Sequence, residues 1–405
     1  MKACYIKNTA CTFFLVLMIS PVFPAGKKWI CEVLPSEKKV EIDPDSGAKI
    51  TFVTTNPSND TNLYFHDRCW LQKGELMLFM SDRDGRYEIY GYVASTGELV
   101  RLNHPGDDAA GNPVASKNGT TVFVVKNKAI YTWEVTMRMG HKTRVEISEK
   151  KLYDFPPDAL PFHSLNENAD GSLLSYGYVL DAKHHVGVVN LKTGTSEVIA
   201  SVDFNVQHVQ FHWTDPNVLS IARGYGTDTA NTSPDNPDEP AQCRIWFIHV
   251  PAKTLTPAFY QVPGELVTHE CWWTENRITF IGGHRKEEAH VKVLDLNTNR
   301  ISIIGAGGWL PGVEAKPLSA VNWWHASGSP DGRWVAADNW HGIIALFNAQ
   351  TTRMHTLTTH HRTYGGGAHP HVGWDLAGKS VEFTSNKLGS PDVCIGEIPD
   401  HWLKE

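Results

Sequence analysis

The stretch from Ser329 to Leu357, SPDGRWVAADNWHGIIALFNAQTTRMHTL, decides the fold. A polar turn (Pro330, Asp331, Gly332) leads into an apolar, β-rich run, then a second turn and another strand. Such turn residues supply special backbone angles, and the runs between them hold strand-forming side chains. The unit recurs as LQKGELMLFMSDRDGRYEIYGYVASTGELVRL (Leu71–Leu102), ASKNGTTVFVVKNKAIYTWEV (Ala115–Val135) and NADGSLLSYGYVLDAKHHVGVVNLKTGTSEVI (Asn168–Ile199). It returns as WTDPNVLSIARG (Trp213–Gly224) leading to CRIWFIHV (Cys243–Val250). Two further copies are WTENRITFIGGHRKEEAHVKVLDLNTNRISII (Trp273–Ile304) and DLAGKSVEFTSNKLGSPDVCIGEI (Asp375–Ile398). The first turns fall near residues 74, 119, 171, 216, 276, 332 and 378, a period of roughly 45 to 60. That is the length of one four-stranded propeller blade.

Seven such turns predict an all-β, seven-bladed β-propeller. Helical periodicity is weak throughout, and a β-sandwich array is the competing architecture. The segment KWICEVL (Lys28–Leu34) is expected to pair with the last blade and close the ring. A closed ring has no free sheet edge and gathers loops from different blades at one end of its axis. Fold alone does not fix chemistry.

The chain of 405 residues starts with Lys2, Lys7 and the apolar run FFLVLMIS (Phe13–Ser20), with a small residue at Ala25. This reads as a signal peptide over residues 1–25. The run is too short to span a membrane. Residues 26–405 are therefore expected to form a single exported propeller, periplasmic or secreted, with no membrane span. A hydrophobic fraction of 41% is ample for a core. The formal net charge of −7, without a basic run, argues against a nucleic-acid partner. Cys4 and Cys11 leave with the signal. The five others (Cys31, Cys69, Cys243, Cys271, Cys394) are odd in number and lack CxxC spacing, which reads as buried small hydrophobes rather than a disulfide framework.

TYGGGAHPHVGW (Thr363–Trp374) sets His369 and His371 on either side of Pro370. In an extended strand, residues i and i+2 face the same side. Pro370 confines the pair to a strand start or an edge. NWWHASGSPDGRW (Asn322–Trp334) puts His325 ahead of the repeat turn one blade earlier. Imidazoles reaching the axis from the same side of adjacent blades point to a metal site. The alternative is surface histidines, of which a chain with 20 has many. ELVTHECWW (Glu265–Trp273) sets His269 at another blade entrance, where a hydrogen-bonded structural histidine is the alternative. AQCRIWFIHV (Ala241–Val250) places Arg244 among apolar residues. Arginine is rarely buried without an anionic partner, so it either pairs with Glu270 or points at a substrate carboxylate. His163, His208 and Tyr364 are further candidates to line the cleft, each with a structural alternative.

These segments carry a family resemblance. LYFHDRCWLQKGELMLF (Leu63–Phe79), VVKNKAIYTWEV (Val124–Val135), CRIWFI from Cys243, THE-x-W from Thr268, H-x5-DG from His325 and HPH from His369 are its matching motifs. By them the chain resembles the oligogalacturonate lyases, seven-bladed propellers that split short pectin fragments by β-elimination. The resemblance implies that His269 and Arg244 are catalytic. It implies that His325, His369 and His371 hold a divalent ion, manganese in that family, with zinc, nickel or calcium as alternatives. It also implies an acidic oligosaccharide substrate and a 4,5-unsaturated uronate product. The family's fourth protein ligand, a glutamine, corresponds to Gly366 here, with His361, Tyr364 or water as candidate replacements. Two other readings stay open: a lyase on another glycuronan (ulvan or a rhamnose–glucuronate linkage), and a non-catalytic propeller like the TolB-type repeats that SPDGRW also resembles. The latter predicts no metal and no clustering of His269 with Arg244. Glycoside hydrolysis needs a carboxylate pair at a defined separation, and none stands out.

Overall fold

The computed structural model describes residues 26–224, 233–234, 236–274, 276–284, 288–308, 322–361 and 369–405. The expected signal peptide, Tyr364 and Gly366 lie outside the described residues. Seven antiparallel sheets follow one another around an axis as a seven-bladed β-propeller. Each turn anticipated from the repeat falls where the innermost strand of a blade hands over to the second. Blade six shows the pattern, with Trp323–Gly328 innermost, then Trp334–Asn339, Ile344–Asn348 and Met354–Thr358 outward. Its first turn ends at Gly332, where φ is +76° and a side chain would be strained.

Ring closure differs from the sequence expectation in one respect. Lys28–Ile30 pairs with Arg144–Asp154 at the rim of blade two, and Glu32–Leu34 pairs with Leu99–Arg101 at the rim of blade one. KWICEVL therefore does not join the last blade. Trp29 explains the placement: its indole donates to the Leu102 carbonyl at 3.0 Å and meets Trp133 edge-on at 5.5 Å. The ring is closed by Lys39–Ile42 and Lys49–Phe52, the latter hydrogen-bonded to Asp392–Glu397 of blade seven. That strand carries Ile50 and Phe52 into the core, and burying each such side chain is worth about 1.5–3 kcal/mol.

All five cysteines of the described residues are free and buried, as their spacing suggested. No helix among the described residues is long and apolar enough to cross a membrane.

The innermost strands are irregular in a way that positions the site. In blade one, Asp60–Asn62 and Trp70–Leu71 both pair with Leu76–Ser81, and the residues between them leave the sheet. A turn closed by Asp67 N–H to the Tyr64 carbonyl at 2.7 Å fills that gap. Blade three is broken likewise, with Leu160–Pro161 and Asn166–Glu167 flanking His163. Blades four, five and six instead bulge, between Gln207 and Gln210, Thr268 and Cys271, and Trp323 and His325. A bulge re-aims a side chain that regular alternation would send elsewhere.

Candidate active site and metal centre

His269 sits in the blade-five bulge with φ +53°, and His208 in the blade-four bulge with φ +46°. A non-glycine residue in this region costs about 1–3 kcal/mol, and such residues concentrate at functional sites. Both side chains turn inward as a result. The His269 ring lies 4.4 Å from that of His325, 5.9 Å from His208 and 4.9 Å from Trp324, centroid to centroid. Its Nδ1 is 3.2 Å from the Thr268 hydroxyl. Burial first, then His325, His208 and Arg244, push its pKa well below the ordinary value, which favours the neutral imidazole.

Arg244 lies one residue before the strand Ile245–His249 and is 1% exposed. Its Nε donates to Glu270 Oε2 at 2.9 Å and its Nη1 to the Arg223 carbonyl at 2.9 Å. The salt bridge read from sequence is therefore formed. Glu270 Oε1 meets His208 Nδ1 at 2.5 Å, and His208 Nε2 meets the Tyr64 hydroxyl at 3.0 Å. Burial works to raise the Glu270 pKa, but Arg244 and His208 hold its carboxyl well below the usual range. Burial lowers His208 to about 4 in spite of that carboxylate. Arg244, Glu270, His208 and Tyr64 thus form one hydrogen-bonded chain across blades four, five and one. Its members Arg244, His208 and Tyr64 line a cavity of about 400 Å³ together with His269, His66 and His163.

His325, His369 and His371 offer ring nitrogens that all lie within 4.8 Å of one another, close enough to share one ion. His325 is fixed by Asp338, its cross-strand partner, whose carboxylate oxygens lie 2.9 and 3.1 Å from Nδ1. A carboxylate on the ring's Nδ1 is the arrangement that sets tautomer and basicity in metal-binding histidines. The HPH pair is not an extended strand as anticipated. His371 has φ +48° and precedes the strand Gly373–Trp374. Pro370 O accepts from Thr384 N–H at 2.9 Å and His371 O accepts from Asn62 Nδ2 at 2.7 Å, which fixes this turn between blades seven and one. Burial first, then neighbouring imidazoles, lower the pKa of His371 and of His369, which suits neutral metal ligands. The donor set fits a divalent ion. His361 does not complete it: its ring nitrogens meet Thr358 Oγ1 at 2.7 Å and Ser385 Oγ at 2.8 Å, between blades six and seven.

The structure thus brings the five site residues read from sequence around one end of the axis. It adds Tyr64, His66, Asp67 and Asp338, which the sequence reading did not single out. His163 does line the cleft, 2.7 Å from Asp67, and a second cavity of about 290 Å³ runs from His163 and Tyr64 to His369 and His371.

No protein-family model matches the chain. In sequence it is similar to the oligogalacturonide lyase of Pectobacterium atrosepticum, 19% identical over 372 residues that span 83% of this chain and 90% of that protein. It is equally similar, at 19% over 378 residues, to the oligogalacturonate lyase of Dickeya dadantii, with the same coverage. In fold it is similar to an oligogalacturonate lyase solved in complex with manganese (TM-score 0.73, 17% identical, covering 93% of this chain and 99% of that one). The oligogalacturonate lyase of Vibrio parahaemolyticus superposes comparably (TM-score 0.71, 17% identical, 93% and 100% covered).

Proposed function

We propose that this chain, like the oligogalacturonate lyases it resembles, is an exported lyase that cleaves uronate-containing oligosaccharides by β-elimination. The observation that carries the proposal is the convergence of a neutral, strained imidazole at His269 with the His325–His369–His371 cluster, 4.4 Å ring to ring at His325. A non-catalytic propeller has no use for that convergence.

The chemical difficulty is the weak acidity of the uronate C5–H beside an anionic carboxylate. A divalent ion held by His325, His369 and His371 would neutralise that carboxylate and make C5–H more acidic. His269 Nε2 takes the C5 proton, which requires the tautomer in which Nδ1–H donates to Thr268. The C–H electron pair becomes the C4–C5 double bond as the C4–O bond breaks, and the departing oxygen is protonated from solvent or a neighbouring side chain. Arg244 lines the same wall, where its charge disfavours an imidazolium at His269.

The test is ultraviolet absorbance of the unsaturated uronate product across a panel of uronate oligosaccharides with added manganese. Product should form on oligogalacturonates. Saturated products, or no turnover on any member of the panel, would reject the proposal.

A further inference from the structure

Two cavities open at the functional end, and they meet at Tyr64 and His163, which line both. One cavity holds His369 and His371; the other holds His269, His208 and Arg244. The two cavities thus leave room on the His163 side for a chain neighbour of a sugar reacting between His269 and the histidine cluster.

His163 is built differently from the other imidazoles of these walls. Its Nε2 is 2.7 Å from Asp67 Oδ2, while the other oxygen of Asp67 meets His66 Nδ1 at 3.0 Å. Asp67 is 3% exposed and His66 5%, whereas His163 keeps 39% of its side-chain surface open. One buried carboxylate thus clamps two rings, one in the cavity floor and one at its rim. The distal nitrogen of His66 is buried without a hydrogen-bond partner among the described residues. The floor of this cavity is therefore polar and ready to accept a bond.

We propose that His163, clamped by Asp67, reads the carboxylate of the sugar adjoining the one that is cleaved, and so makes the site selective for consecutive uronates over uronates alternating with neutral sugars. This rests on the lyase reading given above and adds the recognition group for its second sugar. Burial disfavours charge on His163, but the Asp67 carboxylate outweighs it and raises the pKa, as the ring's partial exposure allows. His269, His371, His369 and His208 all move the other way. Arg244 is committed to Glu270 and a backbone carbonyl. An imidazole at the rim whose positive form Asp67 favours is the group that discriminates a second carboxylate from a hydroxymethyl.

The experiment compares wild type, His163→Gln and His163→Lys with manganese, on a homo-uronate trimer and on an oligosaccharide in which uronate alternates with a neutral sugar. A charge-assisted contact predicts that His163→Gln raises KM for the homo-uronate about 10- to 100-fold, with kcat changed less than about threefold. The ratio of kcat/KM between the two substrates should collapse toward one in His163→Gln and be largely kept in His163→Lys, which retains the charge. Equal losses on both substrates, or loss in kcat alone, would overturn the proposal. Thermal unfolding of each variant separates these outcomes from misfolding. If wild type turns over nothing, the lyase reading fails, and equilibrium binding of a saturated di-uronate and of its mono-uronate analogue, with metal chelated, decides the subsite. The wild type should then favour the di-uronate about tenfold or more and His163→Gln should not; equal affinities in wild type would sink the subsite as well.

Discussion

Glu270 joins two parts of the site through its two carboxylate oxygens, one taken by Arg244 and one by His208. Both charged groups of the Arg244–Glu270 pair are buried, so removing one strands the other. Glu270→Ala should destabilise the fold by about 3–5 kcal/mol, measured by urea unfolding near neutral pH. The sign of its pH dependence follows from a folded-state pKa held below the unfolded value of about 4.3. The stabilisation is complete above the unfolded value and is lost as pH falls through the folded one. The gap between wild type and Glu270→Ala should therefore narrow on acidification, and a widening gap would contradict the assigned pair. His269→Ala should lose about 10²- to 10⁴-fold in elimination while fold and bound metal persist. Arg244→Lys should fail as well, because lysine cannot span Glu270 and the Arg223 carbonyl with one planar group. A loss below about tenfold for His269→Ala would move the base elsewhere, with His208 next in reach.

The strand is the scale at which the sequence was partly readable. The first turn of every blade was visible because turn chemistry is local, and His325 could be placed by its distance from such a turn. Asp338 could not, because its role depends on cross-strand register: it pairs directly with His325. Tyr64, His66 and Asp67 were hidden for a related reason. They reach the site only because the innermost strand of blade one breaks after Asn62 and resumes at Trp70, and nothing in local propensity marks that break. Asp338→Asn should weaken metal binding about 10- to 100-fold, read by titration of the purified protein with manganese. An unchanged affinity would mean that His325 is oriented by something other than this carboxylate. Packing between neighbouring innermost strands gives a second element-scale test. A Cβ on Gly328 would lie 2.1 Å from Trp273 Cδ1, and that indole is 1% exposed with Nε1 bonded to Ser329 O at 2.9 Å. Gly328→Ala should cost about 1–3 kcal/mol in thermal unfolding, since overpacking has nowhere to relax.

The whole molecule works because closure brings side chains from six blades to one end of the axis. The sequence period revealed the number of blades but misplaced the closing strand: KWICEVL had the right composition, yet its tryptophan belongs against blade two. Phe52, fully buried in the strand that does close the ring, should cost about 3–5 kcal/mol when replaced by alanine. On the proposed reading, this ring sets an imidazole base beside a metal-bound carboxylate. The most direct test of that reading is ultraviolet detection of unsaturated uronate from an oligogalacturonate, run with manganese, after chelation, and with His269→Ala. Product is expected in the first case and none above background in the other two. Undiminished product after chelation, or cleavage that yields only saturated sugars, would contradict it.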